Sequence, residues 1–165
     1  MSSDTTTLHG NHMRLTEEPH MITGTSTELS EVMQQALRQL QQKVRSAKII
    51  VRCSELPHVG GDATVWIQVI EALLQTIICV KTAERQLFLR IDCERMEEKL
   101  GFNKEIKKVS YQIQFHTNLQ ATENWYYTNK QNIEHCQSLL EKMQARLTVH
   151  YLAGNSCLFN IHIPV

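Results

Sequence analysis

Between Gly61 and Val80, GDATVWIQVIEALLQTIICV, apolar residues recur at helical spacing. Trp66, Val69, Ile70, Leu73, Leu74 and Ile77 stand at i, i+3, i+4, i+7, i+8 and i+11, a continuous stripe that predicts a helix packed on a core. Asp62 precedes it as an N-cap, its carboxylate placed to accept a first-turn N–H and to face the positive end of the helix dipole. An earlier stripe, Leu29, Val32, Met33, Ala36, Leu37, Leu40 and Val44, predicts a second amphipathic helix capped by Ser26 or Thr27. Between the two, Lys48–Cys53 (KIIVRC) is β-branched and bounded by polar residues, which predicts a strand. Glu55–Gly61 (ELPHVGG) carries the Pro and Gly of a loop.

After Lys81 the period falls from about 3.6 to 2. Leu87, Leu89 and Ile91 alternate with Phe88, Arg90 and Asp92, and Tyr111, Ile113 and Phe115 alternate with Gln112, Gln114 and His116. These are two antiparallel strands, joined across the polar stretch Glu94–Lys107. Asn118–Lys130 has no period and reads as an irregular loop. A third helix follows over Gln131–Ala145, with Ile133, Cys136, Leu140 and Met143 inward. Strands Leu147–Leu152 and Leu158–Ile163 close the chain around the turn Ala153–Ser156. Helix, strand, helix, strand, strand, helix, strand, strand is the order of an α/β two-layer sandwich, with about three helices on one face of a mixed, mostly antiparallel sheet.

Composition narrows the setting. The 165 residues, 42% hydrophobic and 21% charged, suit one soluble globular domain with enough chain for a core. Residues 1–26 are rich in Thr, Ser and His and read as a flexible lead-in or linker, with the domain itself over 27–165. Lys+Arg and Asp+Glu are 17 each, so net charge offers no case for nucleic acid or an anionic membrane surface. There is neither a run of about eighteen apolar residues nor a basic-then-apolar N-terminus, and the expected location is cytoplasmic. The five cysteines, Cys53, Cys79, Cys93, Cys136 and Cys157, are scattered through apolar runs and are expected to be reduced.

That order of elements, with these words in it, resembles the catalytic and ATP-binding domain of sensor histidine kinases, the GHKL or Bergerat ATPase fold. Leu29–Leu40 is similar to the family's opening "LSEVxxxAL", Gly61–Leu74 to its "D…QVxxNLL" helix, Leu139–Val149 to its last helix passing into a strand, and Asn155–Pro164 to its closing "GSxFxFxLP". Leu8–Leu15, LHGNHMRL, is similar to the segment that precedes this domain in potassium-responsive sensor kinases of the KdpD type.

The chemical motifs depart from that pattern. Two asparagines on the family's central helix, one of which helps hold magnesium, correspond to Ala72 and Thr76, with Gln75 where an acid is common. Magnesium wants hard oxygen ligands, which an Ala lacks and a Thr hydroxyl supplies weakly. The adenine motif, an Asp followed by glycines, corresponds to His116, Thr117, Asn118 and Leu119. The glycine-rich turn that cradles phosphate corresponds to Lys130, Gln131 and Asn132. Glycines occur only at Gly10, Gly24, Gly60, Gly61, Gly101 and Gly154, so no shift of alignment restores either glycine motif. None of the eight histidines has the H-E/D-x-R-T/N-P setting of the family's phosphoacceptor. A zinc site from His116, His150 and His162 has no support from spacing, and no Ser/His/Asp or Cys/His set has a local signature.

Two functions of different class follow. One is a non-enzymatic module that kept the kinase fold, expects no cofactor, and holds a protein such as a histidine kinase dimerisation helix or a response regulator. The other is an ATP-binding catalytic domain whose Mg-ATP pocket is rebuilt around Thr76, His116, Asn118, Lys130 and Asn132. Trp125, Tyr126 and Tyr127 are either the partner surface, since aromatics are enriched at interfaces, or rings packed where active relatives hold ATP.

Overall fold

The computed structural model describes residues 25–78, 86–101, 106–118, 123–152 and 156–165. Most of the lead-in, with Leu8–Leu15, lies outside these residues, as does most of the turn Ala153–Ser156. The elements are strand β1 (Ser26–Glu28), helices α1 (Leu29–Gln39) and α2 (Gln41–Ser46), strands β2 (Ile50–Cys53) and β3 (His58–Gly60), helix α3 (Ala63–Ile78), strands β4 (Phe88–Leu100) and β5 (Ile106–Thr117), helix α4 (Glu123–Glu141), and strands β6 (Arg146–Tyr151) and β7 (Cys157–Pro164).

Five strands form one sheet in the order β2-β4-β5-β7-β6, and β1 pairs with β3 in a separate two-stranded sheet. Within the larger sheet β2 and β4 run parallel and every other pair is antiparallel. A parallel pair needs a crossover, and α3 lies within it. The fold is therefore the expected α/β sandwich, a mixed and mostly antiparallel sheet with three main helices, α1, α3 and α4. The core forms between helices and sheet because the strands alternate. Leu89 and Ile91 of β4, Ile113 and Phe115 of β5, and Phe159, Ile161 and Ile163 of β7 are buried under the helices. The α3 stripe meets them with all six of its expected residues buried.

Several local expectations are corrected. The first stripe does not make one helix: it breaks at Leu40 (φ −92°, ψ 6°) into α1 and the one-and-a-half-turn α2. Neither Ser26 nor Thr27 caps α1, whose N-cap is Glu28 with no side-chain bond. Thr27 is instead part of β1, and its Oγ1 donates to the Gly61 carbonyl at 2.7 Å. Within the expected loop Glu55–Gly61 lies β3, where Val59 alone is buried, a span too short to show a period.

Strands β4 and β5 extend well beyond their expected limits, so that Glu94–Leu100 and Ile106–Lys107 are ladder rather than connection. This ribbon runs past the reach of β2 and of β7, and its side chains are largely exposed and charged. Charge pairs take the place of apolar alternation there: Arg95–Glu97 at 2.6 Å and Lys107–Glu97 at 3.7 Å. Finally, α4 begins at Glu123, so most of the expected loop Asn118–Lys130 is helix. Trp125, Asn129, Ile133, Cys136 and Leu140 form its buried stripe. A polar residue inside that stripe hid the period.

Candidate functional site

The start of α3 is built by its own residues. Gly61 adopts φ +112°, a region open to glycine, and a Cβ there would meet the Met143 sulfur and Trp66 Nε1 at 3.0 Å. Asp62 Oδ1 then accepts the Thr64 N–H at 2.7 Å, the expected N-cap. Trp66 Nε1 donates to the Gly60 carbonyl at 3.0 Å and locks the helix onto the preceding strand.

Farther along α3, at the two positions that the resemblance sets against asparagines, Ala72 has no polar side-chain atom and Thr76 is 1% exposed. Thr76 Oγ1 donates to the Ala72 carbonyl at 2.8 Å, so its proton is committed to its own helix. One residue before Ala72, Glu71 Oε1 is buried without a hydrogen-bond partner among the described residues. Sequence reasoning missed Glu71, whose signal was an acid beside the substituted position on a helix otherwise apolar at its centre.

The remaining expected site residues do not join Thr76. Strand β5 turns Ile113, Phe115 and Thr117 toward the helices, and so turns His116 to the opposite face of the sheet. There His116 Nε2 lies 3.1 Å from Gln114 Oε1 and 3.8 Å from Asp92 Oδ2. Thr117 is the last side chain of that strand to face the helices. The alternation already visible in Ile113 and Phe115 carried that information. Asn118 fastens β5 to the start of β4: its Oδ1 accepts the Phe88 N–H at 2.8 Å and its Nδ2 donates to the Gln86 carbonyl at 2.9 Å. Lys130 and Asn132 are exposed on α4, and Lys130 Nζ lies 3.7 Å from Glu134 Oε1 one turn on. Of the five, His116 and Asn118 line a common cavity, together with Ile50, Arg52, Phe88 and Arg90 on the sheet face turned away from the helices.

The aromatic run divides in the same way. Trp125 is buried, edge-on to Phe159 with ring centroids 5.8 Å apart and planes at 70°. Tyr127, two residues along the helix, is 75% exposed. Among the described residues no group of three His, Cys, Asp or Glu side chains is placed to hold a metal ion. Among the described residues Cys53, Cys93, Cys136 and Cys157 form no disulfide, Cys79 lying outside them, and no described helix is long and apolar enough to cross a membrane.

The architecture defines a class: it is the histidine kinase ATPase fold. The catalytic domain of histidine kinase ThkA matches with a TM-score of 0.60 at 18% identity, over 87% of this chain and 97% of that one. A mycobacterial sensor histidine kinase, MprB, matches with a TM-score of 0.63 at 11% identity, over 86% of this chain and 97% of that one. ThkA in complex with the response regulator protein TrrA matches with a TM-score of 0.58 at 18% identity, over 86% of this chain and 41% of that one. At such identities the likeness establishes fold and leaves function to the site. No protein-family model and no curated protein matches the sequence.

Proposed function

We propose that this chain is a histidine-kinase-like ATPase domain of two-component-type signalling that is defective in Mg-ATP binding and works in the cytoplasm by holding a protein partner. The observation that carries this reading is the pair Ala72 and Thr76. One has no oxygen to offer, and the other is buried with its hydroxyl proton on the helix backbone. A magnesium ion bridging phosphates needs a hard oxygen donor from the protein, and these positions do not fit that need. The absence of any glycine between Gly101 and Gly154 supports the same reading, because bare backbone N–H groups are what cradle phosphate. We therefore derive no step through the nucleotide.

For the partner, the complex of ThkA with a response regulator supports a response regulator, and a kinase dimerisation helix is the other partner that the family resemblance implies. The likeness of Leu8–Leu15 to KdpD-type kinases favours a sensor kinase of that kind as the source of the domain. Of the described side chains in the aromatic run, Tyr127 is exposed to such a partner and Trp125 is part of the core; the Tyr126 side chain lies outside the described set.

A second reading rests on Glu71. A buried acceptor-only oxygen without a partner costs free energy, and a cation would satisfy it. In that reading the domain binds Mg-ATP in a rebuilt pocket. Calorimetric titration with a non-hydrolysable ATP analogue plus magnesium separates the two. We expect no saturable heat at millimolar ligand. A micromolar Kd, about −8 kcal/mol, that disappears in Glu71→Gln would overturn the first reading in favour of the second.

A further inference from the structure

The helix-free face of the sheet carries a cavity of about 550 Å³ at the junction of β2, β4 and β5 with the facing ends of β6 and β7. Its floor consists of two rows set by the parallel register of β2 and β4. Ile50 stands opposite Phe88, and one residue pair farther along on the same face Arg52 stands opposite Arg90. Leu152 closes the far side. Ile50 is 37% exposed, Phe88 49% and Leu152 45%, so three of the seven exposed large hydrophobic residues among those described gather here. The lining residues among those described include two arginines and His116 and no carboxylate.

Both rows are unfavourable as they stand. Like charges directly opposite on neighbouring strands destabilise a sheet, and contiguous exposed apolar surface marks an interaction site more often than chance. Arg90 is relieved in part by Asp92, whose Oδ2 takes its Nε at 2.6 Å. That leaves the terminal guanidinium nitrogens of Arg90 as donors. Arg52 has no ion pair among the described residues.

We propose that this cavity binds a small amphipathic carboxylate, an aromatic or branched aliphatic acid. Its carboxylate bridges the guanidinium groups of Arg52 and Arg90, and its apolar body lies on Ile50, Phe88 and Leu152. A guanidinium is a planar fork that matches a carboxylate in two bonds, and between two of them one anion cancels the repulsion. The volume falls within the range of small-molecule sites, about 300–1,000 Å³. The apolar row selects against inorganic anions and the arginine row against neutral apolar compounds. The site is apart from Thr76 and Glu71 on α3, while His116 and Asn118, two residues of the nucleotide reading, stand at its wall.

The test is a calorimetric titration of the full chain with 4-phenylbutyrate, with 4-phenylbutanol and inorganic phosphate as comparisons. The expected result is saturable one-to-one binding of the acid with a Kd of about 0.1–1 mM, at least tenfold weaker binding of the alcohol and of phosphate, and at least tenfold loss in Arg52→Gln. Arg52 is exposed, so that variant is expected to melt with the parent protein, and a matching melt confirms that the loss is local. Equal binding of acid and alcohol, equal binding of acid and phosphate, an unaltered Arg52→Gln, or no saturation by about 10 mM each overturns the proposal.

Discussion

Helices α3 and α4 lie side by side, with Cys136 Sγ on α4 directed at the Val69 carbonyl on α3 at 3.8 Å. Both bury a polar residue by the same device. Thr76 returns its hydroxyl to the carbonyl four residues back at 2.8 Å, and Asn129 returns its Nδ2 to the Trp125 carbonyl at 2.9 Å. In α3 the polar residue is one interruption among six apolar ones. In the first half of α4 the inward positions among the described side chains are Trp125 and Asn129, within a polar run in which Thr and Asn are poor helix formers. The difference teaches that a helix can be held by a tryptophan at one end and a self-satisfied amide, with no readable stripe. It also teaches that a buried hydroxyl can be satisfied within its own helix, with no partner from another element.

The largest effect that would break this comparison is in α3. Trp66 is fully buried and bonded to Gly60, and Trp66→Ala is expected to cost about 4 kcal/mol in denaturant unfolding. A cost below about 1 kcal/mol would mean that α3 is not the centre of the core. Next is α4, where Trp125→Ala, losing its edge contact with Phe159, should cost about 3 kcal/mol, while Tyr127→Ala stays within about 0.5 kcal/mol. Equal small effects would return Trp125 to the surface.

The seam between the two helices gives a pH-dependent effect. Burial pushes the Cys136 thiol up from 9.0 to about 11. The unfolded chain therefore releases its proton near pH 9 while the folded state keeps it. Stability from this group is full below pH 9 and falls as pH rises toward 11, by up to about 2 kcal/mol. Stability curves of the parent and Cys136→Ala should run parallel below pH 9 and converge above it. Curves that stay parallel to pH 11 would place the thiol in water. The smallest effect is the cap of α3: Asp62→Ala, losing the 2.7 Å bond to Thr64, should cost about 1 kcal/mol.

The expectations that held rest on residues whose burial and local chemistry agree. Asp62 capped its helix because the bond is local, to the N–H two residues on. The strands β6 and β7 were found close to their limits because β7 alternates buried and half-buried residues along its whole length. By contrast, the ribbon at the end of β4 and β5 has no covering layer, so its residues were free to be charged on both faces and the period of 2 vanished. His116 and Thr117 show the same limit at the site. Which of two adjacent residues faces the helices depends on strand parity, and extending the alternation by two residues would have chosen Thr117.

By itself the sequence determined the layers of this protein, since stripes of period 3.6 and 2 can bury their apolar faces only against one another. It also determined which chemical groups are missing, since an alanine has no ligand atom and a glycine absent from the chain cannot open a loop. Only the tertiary structure decided where polar residues end up. Thr76 is closed on its own helix, Glu71 has a buried oxygen without a partner among the described residues, and Arg52 stands against Arg90 beside an apolar shelf. The second and third of those outcomes depend on pairing and packing between residues far apart in the chain, where a one-residue change of register exchanges the faces of a sheet; the first depends on the burial of Thr76, which keeps its hydroxyl on its own helix.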